Sequence, residues 1–158
     1  MKRVAAPPLD WFQRNYRYIR ETGEIFSIRR QRTVGCANGE GYLRVRICGV
    51  GYRVHHIVWW LETGCWPNHQ IDHKNLVRSD NRFQNLRAAT NGQNNANRPV
   101  RRDNTLGVKG VSRSRGRYRA LIRFEGHLKH IGTFDTVEAA SEAYWVAAKR
   151  FHGEFARR

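Results

Sequence analysis

QIDHKNLVRSDNRFQNLRAATNGQNNANR, residues 70–98, is the stretch on which the reading of the whole chain turns. A short apolar-containing run ends in Asp72-His73, Asn85 follows within Asn85-Leu86-Arg87, and Asn94 lies further on in a run of asparagines. A carboxylate, an imidazole and two amides at these spacings suit metal-assisted cleavage of a phosphodiester. Asp72 and Asn94 offer hard oxygen donors to a divalent cation. His73, if neutral and held in one orientation, takes a proton from water. Asn85 is placed to fix the loop presenting that imidazole, and Arg87 to pair with a phosphate oxygen. Asn91 and Asn95 are alternative ligands, with Asn94 preferred on spacing.

The same residues resemble the HNH nuclease motif, in the variant found in phage and intron homing endonucleases. The likeness covers residues 40–98 and rests on Asp-His, DNR-x-x-NLR and the asparagine behind them. It implies an α+β fold with a ββα-metal (His-Me finger) core, the Asp-His pair ending one strand and Asn85 lying near a second. It implies Asp72 and Asn94 as metal ligands, His73 as general base and Asn85 as the residue that orients it. An amide in place of a last histidine shifts preference from zinc or nickel towards one Mg²⁺ or Mn²⁺ per chain. A cation near a helix start meets unfavourable N–H dipoles, so Asp72 supplies most of the attraction.

Outward from this unit, Leu86 to Thr90 reads as a strand, and a helix opens at Thr90 or Asn91 behind a capping residue. Upstream, Tyr18 to Ile28 suggests a hairpin around Thr22-Gly23. Tyr42 to Ile47 alternates: Leu43, Val45 and Ile47 face one way, Arg44 and Arg46 the other, either onto DNA phosphates or into solvent. Gly49-Val50-Gly51 reads as a turn, Tyr52 to His55 as the returning strand, and residues 55–64 as a helix stopped by Gly64, with Ile57, Val58 and Leu61 buried. His55 and His56 are neighbours in that helix, about 100° apart, so they do not share an ion. The resemblance makes His55 structural. Residues 1–15 read as an irregular lead-in, since Pro7-Pro8 oppose regular structure.

The chain has 158 residues, 29 Lys plus Arg against 13 Asp plus Glu, and a net charge of +16 spread over its whole length. That distribution suits a polyanion held along an extended surface rather than by one tail. Three cysteines without C-x-x-C spacing indicate neither a disulfide framework nor a cysteine zinc site, and are expected as reduced packing residues. The basic start, Met1-Lys2-Arg3, leads into prolines rather than an apolar core, so no signal peptide is expected. The longest apolar run, Ile57 to Leu61, is too short for a bilayer.

Residues 99–106 read as a basic linker, with Arg101 and Arg102 placed to lie along phosphates. From Gly107 a second module follows: a strand to Ser114, a turn at Arg115-Gly116, strict alternation over Arg117 to Phe124, a turn at Glu125-Gly126, and a third strand to Gly132. A helix then starts at Asp135, with Asp135 and Glu138 spaced like a capping box. Val137, Ala140, Tyr144, Ala147 and Phe151 mark its buried stripe. A three-stranded antiparallel sheet packed on one helix leaves an arginine face free for a groove.

Lys109-Gly110-Val111, Gly132-Thr133-Phe134, Glu138-x-Ala140, Ala143-Tyr144 and Ala147-Ala148 resemble the plant APETALA-type (ethylene-response-factor) DNA-binding domain. That likeness implies Arg113, Arg115, Arg117, Arg119 and Arg123 as DNA contacts. The tryptophans usual on the DNA face are absent, with Tyr118 and His130 near their places. Together the two resemblances imply an intracellular, phage-encoded HNH endonuclease that acts on double-stranded DNA. Residues 1–15 are its lead-in, 16–98 its nuclease domain, 99–106 a linker and 107–158 a DNA-binding domain. One site per chain implies nicking. No membrane and no obligatory protein partner is expected. The rival from another class is a non-catalytic DNA-binding regulator with a decayed nuclease core.

Overall fold

The computed structural model describes residues 5–158; the basic Met1-Lys2-Arg3 start lies outside them. The chain divides into two compact units, Met1–Ala88 and Ala89–Arg158. That boundary falls inside the 16–98 stretch expected as one domain.

The first unit opens with helix α1, Leu9–Asn15, where an irregular lead-in was expected. Pro7 and Pro8 stop short of the helix, and a proline just before the first turn removes no intrahelical hydrogen bond. Phe12 fixes it in place, 1% exposed, with its ring 6.0 Å from Trp60 and 5.3 Å from Tyr16. Strands β1 (Tyr16–Ile19) and β2 (Glu24–Ser27) form the expected antiparallel hairpin, and β3 (Arg32–Val34) adds a third strand. Short β4 (Cys36–Ala37) then pairs with β5 (Leu43–Ile47), which pairs with β6 (Val50–Arg53). Alternation in β5 is as read, with Val45 and Ile47 buried and Arg44 and Arg46 exposed. The turn between β5 and β6 is Cys48-Gly49, with φ of 46° and 79°, not Gly49-Val50-Gly51. Two left-handed residues match the twist of flanking strands, so Val50 and Gly51 belong to the strand.

Helix α2, Val54–Thr63, starts one residue earlier than expected and ends as read, on Gly64 at φ 73° with its N–H on the Trp60 carbonyl. Its buried side is Val54, His55, Ile57, Val58 and Trp60, with Leu61 only half-buried. Val54, Ile57, Val58 and Trp60 join Phe12, Ile25, Val45, Ile47, Tyr52, Ile71 and Leu86 in one core. Strands β7 (Gln70–His73) and β8 (Leu86–Ala89) make a two-stranded sheet, and a 3-10 turn, Phe83–Asn85, precedes β8. All three cysteines are exposed rather than packed: Cys36 is on the short edge strand β4, Cys48 in a turn, and Cys65 just past the end of α2.

In the second unit, helix α3 (Asn91–Asn97) starts as read, behind Thr90. Thr90 and Gln93 form a reciprocal capping box, satisfying two otherwise orphan amides. Strands β9 (Val111–Ser114), β10 (Arg117–Phe124) and β11 (His127–Phe134) form an antiparallel sheet in the order β11-β10-β9, with turns at Arg115-Gly116 and Glu125-Gly126. Helix α4, Val137–His152, packs on this sheet. Ala120 and Ala140 are both fully buried, and their small side chains let helix and sheet approach closely. The cap of α4 is Thr136, whose hydroxyl accepts from the Ala139 amide at 3.1 Å. Asp135, expected as the cap, instead takes Arg117 in an ion pair at 2.7 Å. Ala148 rather than Ala147 completes the buried stripe, being 1% exposed.

Gly23, at φ 78° in the β1–β2 turn, lies directly against residues 81 and 82: a Cβ there would land in the backbone of Asn81 and Arg82. Gly49 has a similar φ of 79° but open space around it. Gly23→Ala should therefore cost the backbone penalty of roughly 1–2 kcal/mol plus an overpacking cost of about 1–3 kcal/mol. Gly49→Ala should carry the backbone term alone. Denaturant melts of the two variants check this, and equal destabilisation would contradict the close approach.

Candidate active site

Strand β7 ends on Asp72 and His73, which are 5% and 4% exposed. Strand pairing brings Arg87 of β8 onto Asp72, Nε to Oδ2 at 3.0 Å, with Arg87 itself 8% exposed. This corrects the expectation that Arg87 faces a phosphate. A guanidinium in so buried a place requires an anion, and the nearest element supplies one. The pair fixes the direction of the carboxylate beside the imidazole.

His73 Nε2 lies 3.1 Å from the Oδ1 of Asn81, a side chain with no solvent exposure. Burial pushes His73 below its ordinary pKa, against the opposing pull of Asn81, Asp72 and Asp80. A neutral imidazole is the form a general base requires. The ring also meets His55 edge-on, with centroids 5.0 Å apart, and lies 5.9 Å from Tyr42. His55 is 1% exposed, its Nδ1 has no hydrogen-bond partner among the described residues, and burial holds its pKa well below 6.5. It packs, as expected.

Asn85 bonds the loop that follows His73. Its Oδ1 accepts from the Asn75 amide at 3.1 Å, and its Nδ2 donates to Asn75 Oδ1 at 2.9 Å and to the Asp80 carbonyl at 2.8 Å. These bonds close the 74–80 loop. The direct orienting contact comes from Asn81, which sequence reasoning missed. Its signal was present in Asp80-Asn81-Arg82, the DNR of the motif. Asp80 binds Arg82 at 2.6 Å and Asn75 at 2.8 Å, and its pKa falls to about 2, chiefly through Arg82. Gly23 and the Tyr18 hydroxyl, which accepts from the Phe83 amide at 3.2 Å, brace the same segment from the N-terminal hairpin.

Asn94 lies in the second unit on α3, half-buried, while Asn91 and Asn95 are exposed. Among the described residues no three His, Cys, Asp or Glu side chains cluster as a metal site. A zinc-type cage therefore does not fit. A carboxylate with about four lone-pair sites, such as Asp72, is the donor type that suits a hard cation keeping several waters.

The sequence-predicted arginines separate into groups. Arg44 and Arg46 are exposed on one face of β5, and Arg53 lies across from Arg44 in the register. Arg101 and Arg102 are exposed, with Arg101 paired to Asp103 at 2.9 Å. Arg117, Arg119 and Arg123 share the face of β10 turned away from α4. Arg113 does not share it: it sits opposite Tyr118, on the face of Ala120, with Nη2 3.2 Å from the Tyr118 hydroxyl. Arg115 is in the turn, at φ 50°. No helix among the described residues is long and apolar enough to cross a membrane.

Two measurements test this arrangement. Arg87→Met takes the guanidinium away from a buried carboxylate, and unfolding stability should fall by about 3–5 kcal/mol. A loss below about 1 kcal/mol, the level of an exposed pair, would contradict the buried pairing. His56, half-buried against His55 and Trp66, titrates near 4 rather than 6.5, mainly through burial and secondly through Arg53. The unfolded chain binds that proton more readily, so stability is whole above pH 6.5 and declines as pH falls to about 4, by up to about 3 kcal/mol. Denaturant midpoints between pH 7 and 4 should show the decline, and His56→Phe should make it shallower, leaving the part that the other buried histidines, His55 and His73, contribute.

The profile of the HNH endonuclease family matches residues 52–96, from β6 through most of α3. Protein 3.8 of Escherichia phage T7 is 32% identical over 108 residues, spanning 66% of this chain and 88% of that protein. Among solved structures, the HNH homing endonuclease I-HmuI, from a study of its DNA binding and cleavage, aligns over 87% of this chain and 85% of its own at 21% identity and a TM-score of 0.43. The chain thus belongs to the family of phage T7 protein 3.8 and carries an HNH endonuclease domain.

Proposed function

We propose that this protein is a metal-dependent endonuclease that hydrolyses phosphodiester bonds in double-stranded DNA. The observation that carries the reading is His73: a buried imidazole at the end of β7, favoured neutral and held through Nε2 by Asn81 beside the fixed carboxylate of Asp72. His73 takes a proton from the attacking water. The oxygen of that water joins phosphorus, the bond to the 3′ oxygen breaks, and the leaving oxygen gains a proton. Asn81 holds the ring, Asn85 closes the loop around it, and Arg87 keeps Asp72 in place. Asp72 and Asn94 are the ligands proposed for one Mg²⁺ or Mn²⁺, which when bound supplies Lewis-acid stabilisation of charge on the phosphate and the leaving oxygen.

Residues 107–158 are proposed as a DNA-anchoring module of the APETALA type. Support comes from its sheet and helix, and from the face bearing Arg117, Arg119 and Arg123. Arg117 pairs with Asp135, but both are largely exposed, so the pair is weak and a phosphate can replace the carboxylate. Arg113 and Arg115 lie off this face, at the sheet's end and in its turn. Binding rests mainly on phosphates, which position the protein rather than specify sequence. One set of catalytic residues per chain favours nicking.

Supercoiled plasmid carrying phage DNA, incubated with Mg²⁺, Mn²⁺ or EDTA, tests the proposal. The wild type should give metal-dependent nicked circles. His73→Ala should lose roughly 10²–10⁴ in rate while keeping its affinity for duplex. Equal cutting by both proteins would remove His73 from the role of base. If neither cuts and both bind DNA equally, a non-catalytic DNA-binding regulator becomes the better reading.

A further inference from the structure

We propose that Arg53 and Arg78, both docked on the ring of Tyr42 beside His73, form a clamp for the DNA phosphates that flank the scissile bond. The inference rests on the nuclease reading of His73 and adds residues that the motif does not include.

Three segments distant in sequence converge here. Tyr42 precedes β5, Arg53 ends β6, and Arg78 lies in the loop after β7. The Arg53 and Arg78 guanidinium carbons sit 5.0 Å and 4.9 Å from the Tyr42 ring centroid. The other side of this small cluster is the base itself, since the Tyr42 ring lies 5.9 Å from His73 and 5.3 Å from His55. Arg78 is further fixed by donating from Nη1 to the Glu40 carbonyl at 2.6 Å. A carbonyl leaves its charge uncompensated.

Two guanidinium groups gathered on one ring repel each other, and ordinarily a carboxylate would sit between them. None does. Among the described residues neither arginine forms an ion pair with an acidic side chain, whereas Asp72 and Asp80, the two carboxylates that act on His73, are engaged by Arg87 and Arg82. Those two acids are thus taken by other cations, and exposed Glu40 meets Arg78 through its carbonyl, so the pair is left for an external anion. A planar donor fork matches phosphate oxygens, and stacking on an aromatic ring presets its plane. Arg53 also lies across from Arg44, so the clamp continues the exposed Arg44 and Arg46 face towards His73. An anion following that face is an extended one, which is what a DNA strand provides.

The test compares Arg53→Gln, Arg78→Gln and Tyr42→Leu with Arg29→Gln, an exposed arginine outside the cluster that controls for net charge. All would be checked for a wild-type melting transition. Single-turnover plasmid nicking and binding to a linear plasmid fragment across a salt series are then measured. Each clamp variant should lower the nicking rate about tenfold or more, and each arginine variant should reduce the salt slope of binding by about one unit. In the Tyr42→Leu background, Arg78→Gln should add little, because its platform is gone. Wild-type rates and slopes in both arginine variants would overturn the clamp, as would a matching loss in Arg29→Gln. The salt slope requires no cleavage, so a wild type that binds but never nicks would sink the nuclease reading and leave the clamp separately tested.

Discussion

A carboxylate and a guanidinium, each less than a tenth exposed, meet at 3.0 Å within a sheet of only two strands. Neither charge tolerates that burial alone, so the register of β7 and β8 is tied to their meeting. The register in turn decides where the end of β7 falls, and so where His73 stands. Everything that acts on the imidazole follows from this placement. Burial favours its neutral form, Asn81 fixes one nitrogen, and the loop closed by Asn85 forms the wall around it. A guanidinium suits this buried place better than an ammonium, which is more strongly hydrated and costs more to bury.

Much of this architecture is legible from residue order. Period-two alternation gives β5 and β10, the Thr90 start gives α3, and Gly64 gives the end of α2. Such features depend on near neighbours, which is what a sequence displays. The misreadings share a different cause. Helix α1 forms because Phe12 finds Trp60, a partner far along the chain. Arg87 turns inward because β7 supplies an acid, and Asn81 meets His73 because of how the 74–80 loop folds back. Asp135 gives up the cap of α4 to Thr136 because Arg117 claims it across the sheet. Composition names the groups that can bond; only tertiary contact selects which of them do.

The same distinction applies to the basic residues. A net charge of +16 says that a polyanion is the natural partner, but treats every arginine alike. In the folded chain Arg87 is a buried strut, Arg82 braces a loop, Arg113 leans on Tyr118 behind the sheet, and Arg119 stands free on its front. Cross-strand register sorts them, since partners opposite one another share a face. The division of labour among like residues is therefore a property of the sheets rather than of charge.

The β1–β2 turn carries one more implication. Gly23 presses on the backbone at Asn81, about sixty residues further along the chain, and the segment it supports is the one that holds the His73 imidazole. During synthesis the hairpin emerges first and waits. The His73 imidazole takes its fixed orientation only when the later loop closes onto that waiting surface, so a side chain at the end of a short local strand is set by one of the more distant contacts in its unit.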